Sequence, residues 1–230
     1  MTNSQGLFVT GIDTNIGKTI ASAILKEALK ADYWKPVQCG DLDNSDTLKV
    51  QELTEKQGTI HPETYALKNP LSPHQAAERE GKKISISDFS LPQSSNLIVV
   101  EGAGGLLVPL NDKDTILDLI ITLNLPVVIV SKNYLGSLNH TLLTIEALKK
   151  RNIQILGLIF NGKENSELEE FLCHKSGLPK LLNIQDEKDL SKKIIKKYSN
   201  RLIKQGVIND IIKPRQRTHL APLHPGKTIS

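Results

Sequence analysis

The segment GIDTNIGKT, residues 11–19, sets a lysine and a hydroxyl side chain directly behind a glycine, between an apolar run and a helical pattern. A strand, a glycine-bearing loop and a helix start, in that order, suit phosphate. Backbone N–H groups converge on the phosphate oxygens, and the helix N-terminus adds positive potential. On this reading Lys18 bridges terminal phosphates, Thr19 offers its hydroxyl to Mg²⁺, and Asn15, Ile16, Gly17 and Ile20 surround the anion. The spacing departs from the strict phosphate-loop form, because five residues rather than four separate Gly11 from Gly17 and Ile12 stands where the first glycine is due. The plainer alternative is a strand-to-helix turn with a capping threonine.

Mg²⁺ takes one or two carboxylates and leaves its other positions to water and phosphate. Glu101 closes the apolar run LIVVE and precedes Gly102, Ala103 and Gly104, so its carboxylate is expected at the carboxyl edge of a sheet where ligands of open α/β folds bind. The glycines permit close backbone approach. Asp46, in NSDTLKV, is either a second metal ligand or, like Ser45, a helix N-cap. Lys35, beside Pro36, either reaches the same edge or is an ordinary surface lysine.

The elements that must position these groups are legible in outline. Apolar runs at 6–11, 96–102, 125–131 and 153–161 read as strands covered on both faces. Helical spacing at 19–31, 114–124 and 138–151 lies between them. The fold class expected is α/β: a doubly wound, mostly parallel sheet with helices on both faces, of the P-loop nucleotide-hydrolase kind. DYWKPVQCG, 32–40, reads as one more strand, weakened by Pro36, which cannot donate to a ladder. We expect one domain over residues 1–213 and a loose tail over 214–230, where PGKT has no strand before it.

With 39% hydrophobic residues among 230, the chain reads as an ordinary globular protein. It shows no apolar stretch long enough to span a bilayer and no basic-then-apolar secretory start, so a cytoplasmic location with no membrane contact is expected. Its two cysteines, Cys39 and Cys173, are expected to be reduced. The net charge of +4 is uneven, since residues 192–217 hold nine Lys/Arg against the single acid Asp210. Apolar spacing of three and four there predicts a helix with a solvated basic face, and the near absence of aromatic side chains argues against nucleic acid.

Taken together, TGIDTNIGKT, KPVQCG, NSDTL, SPHQAA, VEGAGGLLVPL, LPVVIVSKNYLGSLNHTLLT and GLIFN resemble the dethiobiotin synthetases in order and spacing, from about residue 7 to 162. The family's loop has the form T-G-x-D-T-x-x-G-K-T, which accounts for the extra residue. The resemblance implies an ATP-dependent ligase of biotin synthesis acting on 7,8-diaminononanoate and CO₂. One amine becomes a carbamate, ATP phosphorylates it, and the second amine closes the cyclic urea with release of ADP and phosphate.

By motif match, Lys18 and Lys35 stabilise the carbamate and the transferring phosphoryl group, Thr14 donates its hydroxyl beside them, and Thr19, Asp46 and Glu101 hold Mg²⁺. Asn161, followed by Gly162, corresponds to the adenine contact, and Cys39 lies among the substrate residues. Gly136, Ser137, Leu138 and Asn139 correspond to a helix start that a partner subunit contributes to the substrate carboxylate, implying a homodimer with shared active sites. His74 and His140 receive no catalytic task.

Three departures stand out: Asn15 where some members have glutamate, Cys39 where a hydroxyl is commoner, and a poor match after residue 176 in the nucleotide-base region. Two rival readings share the loop. A cobyrinate-type amide synthetase needs an ammonia source for which this length leaves little room. A nucleotide switch controlling a partner, in its partition-ATPase form, carries a signature lysine where this chain has Asp13.

Overall fold

The computed structural model describes residues 6–206. The expected tail at 214–230, and the end of the basic stretch beyond 206, lie outside the described residues. Strands β1 (Gly6–Gly11), β2 (Asp32–Trp34), β4 (Ile60–His61), β6 (Ile98–Gly105), β7 (Val127–Lys132), β8 (Ile155–Asn161) and β9 (Lys180–Ile184) form one sheet in the order β4-β2-β6-β1-β7-β8-β9. Every pairing in it is parallel. The doubly wound parallel architecture read from the alternating apolar runs is therefore the one adopted.

Period-2 alternation sends neighbouring side chains to opposite faces. On β1, Leu7 and Val9 enter one core and Phe8 the other. The first core is closed by α1 (Lys18–Leu29), α2 (Asp46–Leu53) and α7 (Lys192–Lys204), through Ile24, Leu25, Val50, Ile195, Tyr198 and Leu202. The second is closed by α3 (Pro73–Arg79), α4 (Ile116–Leu123), α5 (Ser137–Lys150) and α6 (Ser166–Ser176). Each large aliphatic side chain so buried contributes about 1.5–3 kcal/mol. Helix α7 is the amphipathic element foreseen in the basic stretch: Ile195, Tyr198 and Leu202 are buried while Lys192, Lys193, Lys196 and Lys197 are exposed.

The reading of 32–40 as one strand needs correction. The chain forms β2, breaks at Lys35–Pro36, and resumes as β3 (Val37–Cys39) in a separate two-stranded sheet with β5 (Tyr65–Leu67). Pro36 has no N–H to continue the ladder beside β6, and its carbonyl instead accepts from Tyr65 N at 3.0 Å, opening the second sheet. This break takes Lys35 out of the ladder and leaves its ammonium on Glu101, midway along β6.

Candidate active site

The loop between β1 and α1 is shaped by two left-handed residues, Asn15 (φ 55°) and Gly17 (φ 97°). Gly17 is the helix N-cap, without a side-chain cap and without an acid in the first turn. The first bond inside the helix runs from Ala21 N to Gly17 O, 3.0 Å, so the N–H groups of Lys18, Thr19 and Ile20 have no partner within the helix. They form, with the helix dipole, an anion seat. A side chain at Gly17 would meet Asn161 Nδ2 at 2.3 Å, and that same amide donates to Ile16 O at 2.9 Å. Asn161, at the end of β8, thus braces the loop from the side.

Lys18 folds back over the loop, donating to Asp13 O at 2.8 Å. Burial, reinforced by the Lys35 charge and only partly offset by Glu101, lowers its pKa to about 8. An ammonium held at this disadvantage gains from any polyanion placed beside it.

Glu101 lies at the centre. The register Asp32↔Ile98, Tyr33↔Val99, Trp34↔Val100 carries forward by one step to set Lys35 against Glu101. The Glu101 carboxylate is 1% exposed and accepts from Thr19 Oγ1 (3.0 Å), Tyr33 Oη (2.8 Å) and Lys35 Nζ (3.1 Å). Lys35 Nζ also reaches Asp46 Oδ2 at 2.9 Å. Desolvation pulls the pKa of Lys35 down, but Glu101 and Asp46 outweigh it and the net shift is upward. Asp46 moves the other way: burial opposes its charge, yet Lys35 and the Thr19 hydroxyl hold its pKa below the usual value. Tyr33, wholly buried and facing Glu101, is held neutral far above its ordinary pKa.

The alternatives left open for residues 45 and 46 resolve cleanly. Ser45 is the N-cap of α2, accepting from Leu48 N at 3.2 Å, which frees the Asp46 carboxylate to face Lys35. Two carboxylates and a hydroxyl fit Mg²⁺, since Lys35's ammonium already sits between the oxygens of Asp46 and Glu101 as a cationic stand-in. Among the described residues no group of three His, Cys, Asp or Glu could hold a metal.

These groups open on a cavity of about 650 Å³ lined by Thr14 to Thr19, Lys35, Cys39, Asp46, Glu101, Ala103 and Gly104, with Pro70 to Pro73 opposite. Gly102 does not line it; a side chain there would strike Phe8 at 2.8 Å, so this glycine serves close packing. Cys39 is a free thiol whose pKa burial raises to about 11, which keeps it from acting as a thiolate. Gly162 donates to Ile184 O at 2.7 Å, drawing the end of β9 beside Asn161. Gly136, Ser137 and Leu138 line a different cavity, with Asn133 and Lys163 to Ser166. The apolar side chains of Leu107, Leu135 and Leu143 stand exposed.

Sequence reasoning passed over Tyr33, and it gave no task to Gln38, Ser72 or Pro73 within the KPVQCG and SPHQAA motifs, though all three line the cavity. A signal for Tyr33 existed: it is two residues before Lys35, hence on the same face of its strand. Gln38 orders the approach to α2, accepting from Asp46 N at 3.3 Å and donating to Gly40 O at 3.0 Å.

Residues 5–193 match a family model described as an AAA domain. The chain is 46% identical over 197 residues to the ATP-dependent dethiobiotin synthetase of Cytophaga hutchinsonii, covering 85% of this chain and 95% of that protein. It is 48% identical over 202 residues to the enzyme of the same name from Christiangramia forsetii, covering 87% and 97%. A plasmid partition protein of Borrelia burgdorferi, solved with AMPPNP, superposes with a TM-score of 0.58 over 90% of this chain and 99% of that one. At 14% identity that likeness speaks for the fold alone.

Proposed function

The chain belongs to the ATP-dependent dethiobiotin synthetases, and from that membership we propose how its own residues carry out the reaction. The enzyme is an ATP-dependent ligase of biotin synthesis that closes the cyclic urea of dethiobiotin. Its substrates are 7,8-diaminononanoate and CO₂. The observation that carries the residue assignment is the convergence of Lys18, Lys35, Thr19, Asp46 and Glu101 on one cavity beside an uncapped helix N-terminus.

The phosphates of ATP occupy the anion seat at Gly17 to Ile20, with Lys18 turning from Asp13 O to the terminal phosphates. Asn161 commits its Nδ2 to Ile16 O, so its Oδ1 is the atom left to accept from the adenine amino group beside Gly162. Thr19, Asp46 and Glu101 hold Mg²⁺, which when bound neutralises phosphate charge. Lys35, released from its two carboxylates, stabilises the carbamate and the phosphoryl group in flight, and Thr14 donates to the same oxygens. The mixed anhydride then meets the second amine held in place, so positioning and charge neutralisation suffice and no covalent enzyme nucleophile is required. Cys39 contributes to the wall of the substrate pocket.

The separation of Gly136–Asn139 from this cavity, together with the exposed Leu107, Leu135 and Leu143, supports a homodimer in which the start of α5 binds the diamine's carboxylate in the partner's site. The activity is tested by incubating the protein with diaminononanoate, bicarbonate, Mg²⁺ and ATP and weighing the product by mass spectrometry; ATP turnover independent of the diamine would overturn the reading. Shared sites are tested by mixing two inactive chains, one changed at Lys35 and one blocked at Ser137. Mixed dimers should recover about a quarter of full activity, because half the dimers are mixed and each holds one whole site.

A further inference from the structure

Glu169 is wholly buried on α6, outside the cavity just described, and the reaction gives it no task. Four donors converge on it. Its Oε1 accepts from Asn133 Nδ2 (2.8 Å), Asn183 Nδ2 (2.8 Å) and Asn165 N (3.1 Å), and its Oε2 from Lys180 Nζ (2.9 Å). Asn133 immediately follows β7 and starts the stretch that leads to Gly136–Asn139. Asn165 closes the loop that leaves β8 at Asn161, and Asn183 belongs to β9. The Asn133 amide also donates to Lys163 O at 3.0 Å. Its Oδ1 is left buried without a partner, a cost tolerated where both N–H bonds of the amide are needed as tethers.

We infer that Glu169 is a positioning residue that fixes two binding loops at once, the 161–165 loop beside the nucleotide base and the 133–139 loop that receives the diamine's carboxylate. This rests on the assignment of those loops under the proposed function. One buried carboxylate does this because it accepts from several directions in a low-dielectric setting, where each bond is stiff and each loss is felt. Without it the direct link between the two loops is the Asn133 bond to Lys163 O, while the 161–165 loop keeps its bonds to Ile16 O and Ile184 O through Asn161 and Gly162.

The test compares Glu169→Leu, which removes every acceptor, with Glu169→Gln, which keeps one oxygen for the three nitrogen donors and forfeits only the Lys180 contact. In Glu169→Leu the KM values for ATP and for diaminononanoate should each rise about 10-fold, with kcat changed less than about 3-fold, since Lys18, Lys35 and Glu101 are untouched. Glu169→Gln should restore both KM values to within about 3-fold of the parent. Unchanged KM values in a folded Glu169→Leu protein, a fall in kcat alone, or a glutamine variant no better than leucine would overturn the inference. Should Glu169→Leu fail to fold, Asn133→Ala removes the bonds of the 133–139 loop to Glu169 and to Lys163 O and should raise the diamine KM; no rise would equally overturn it. If blocking Ser137 leaves the diamine KM intact, the loop assignment fails instead, and the ATP KM alone then judges Glu169.

Discussion

Glu101 and Glu169 are both sealed from solvent, at 1% and 0% exposure, and both accept several hydrogen bonds, yet their surroundings differ in kind. Glu101 shares Lys35 with a second carboxylate, Asp46, and a second lysine, Lys18, lies close enough to feel all three charges. These ions border an open cavity. Glu169 likewise shares its lysine, Lys180, with a second carboxylate, Glu164, but its other donors are amides, and it does not line the cavity of Lys18 and Lys35. Burial by itself therefore does not mark a catalytic acid. What distinguishes Glu101 is that it lines an open cavity together with Lys18, Lys35 and Asp46, whose charges can be recruited by ligands that enter it.

The sharpest way to break this contrast is Lys35→Ala, which should lower kcat by about 10²- to 10³-fold while the nucleotide Kd stays within about 3-fold. Steady-state kinetics beside calorimetric titration of a non-hydrolysable analogue would expose an error, seen as a lost affinity at unchanged turnover. Glu101→Gln should raise the Mg²⁺ concentration for half-maximal activity by about 10-fold, read from a metal titration at saturating ATP. Glu169→Gln, by contrast, should leave that titration where it was.

Gly17→Ala probes the anion seat between them. A left-handed φ of 97° and the overlap that an added Cβ would make with the Asn161 amide imply strain of about 1–2 kcal/mol in the alanine variant. Relief of that strain by loop movement should weaken nucleotide binding about 10-fold, measurable by the same titration. The smallest effect on activity is expected at a third buried carboxylate, Asp32, at the opposite end of β2. Burial would raise its pKa, but hydrogen bonds from Ser94, Asn96, Thr59 N and His61 bring it to about 2. A depressed carboxylate stabilises the fold above its unfolded pKa near 3.8, and that stability is lost as pH falls from about 4 through about 2. Asp32→Asn should thus cost about 2 kcal/mol in denaturant unfolding at pH 7, flatten the acid limb of the stability curve, and leave kcat unchanged.

The candidate site was more legible on the β1–β6 side than on the β7–β9 side. Lys18, Thr19 and Glu101 stand at ends of strong apolar runs, where local pattern alone locates the carboxyl edge of a sheet. Glu169 sits in the polar run NSELEEF, whose composition reads as solvated surface, and β9 was not recognised as a strand at all. Nothing local signals that Asn133 after β7, Asn165 before α6 and Asn183 in β9 will meet there.

The sequence by itself determined the phosphate loop, the covered parallel strands, the amphipathic α7 and, through motif order, the family. Those features depend on interactions between near neighbours: apolar periodicity, a glycine in a left-handed turn, a helix start. Only the tertiary structure decided that Pro36 divides a strand between two sheets, that Ser45 rather than Asp46 caps α2, and that Lys35 is held between two carboxylates. The physical reason is the sheet order, which inserts β6 between β2 and β1 and so brings Lys35 to Glu101 across 66 residues of chain and Thr19 to it across 82.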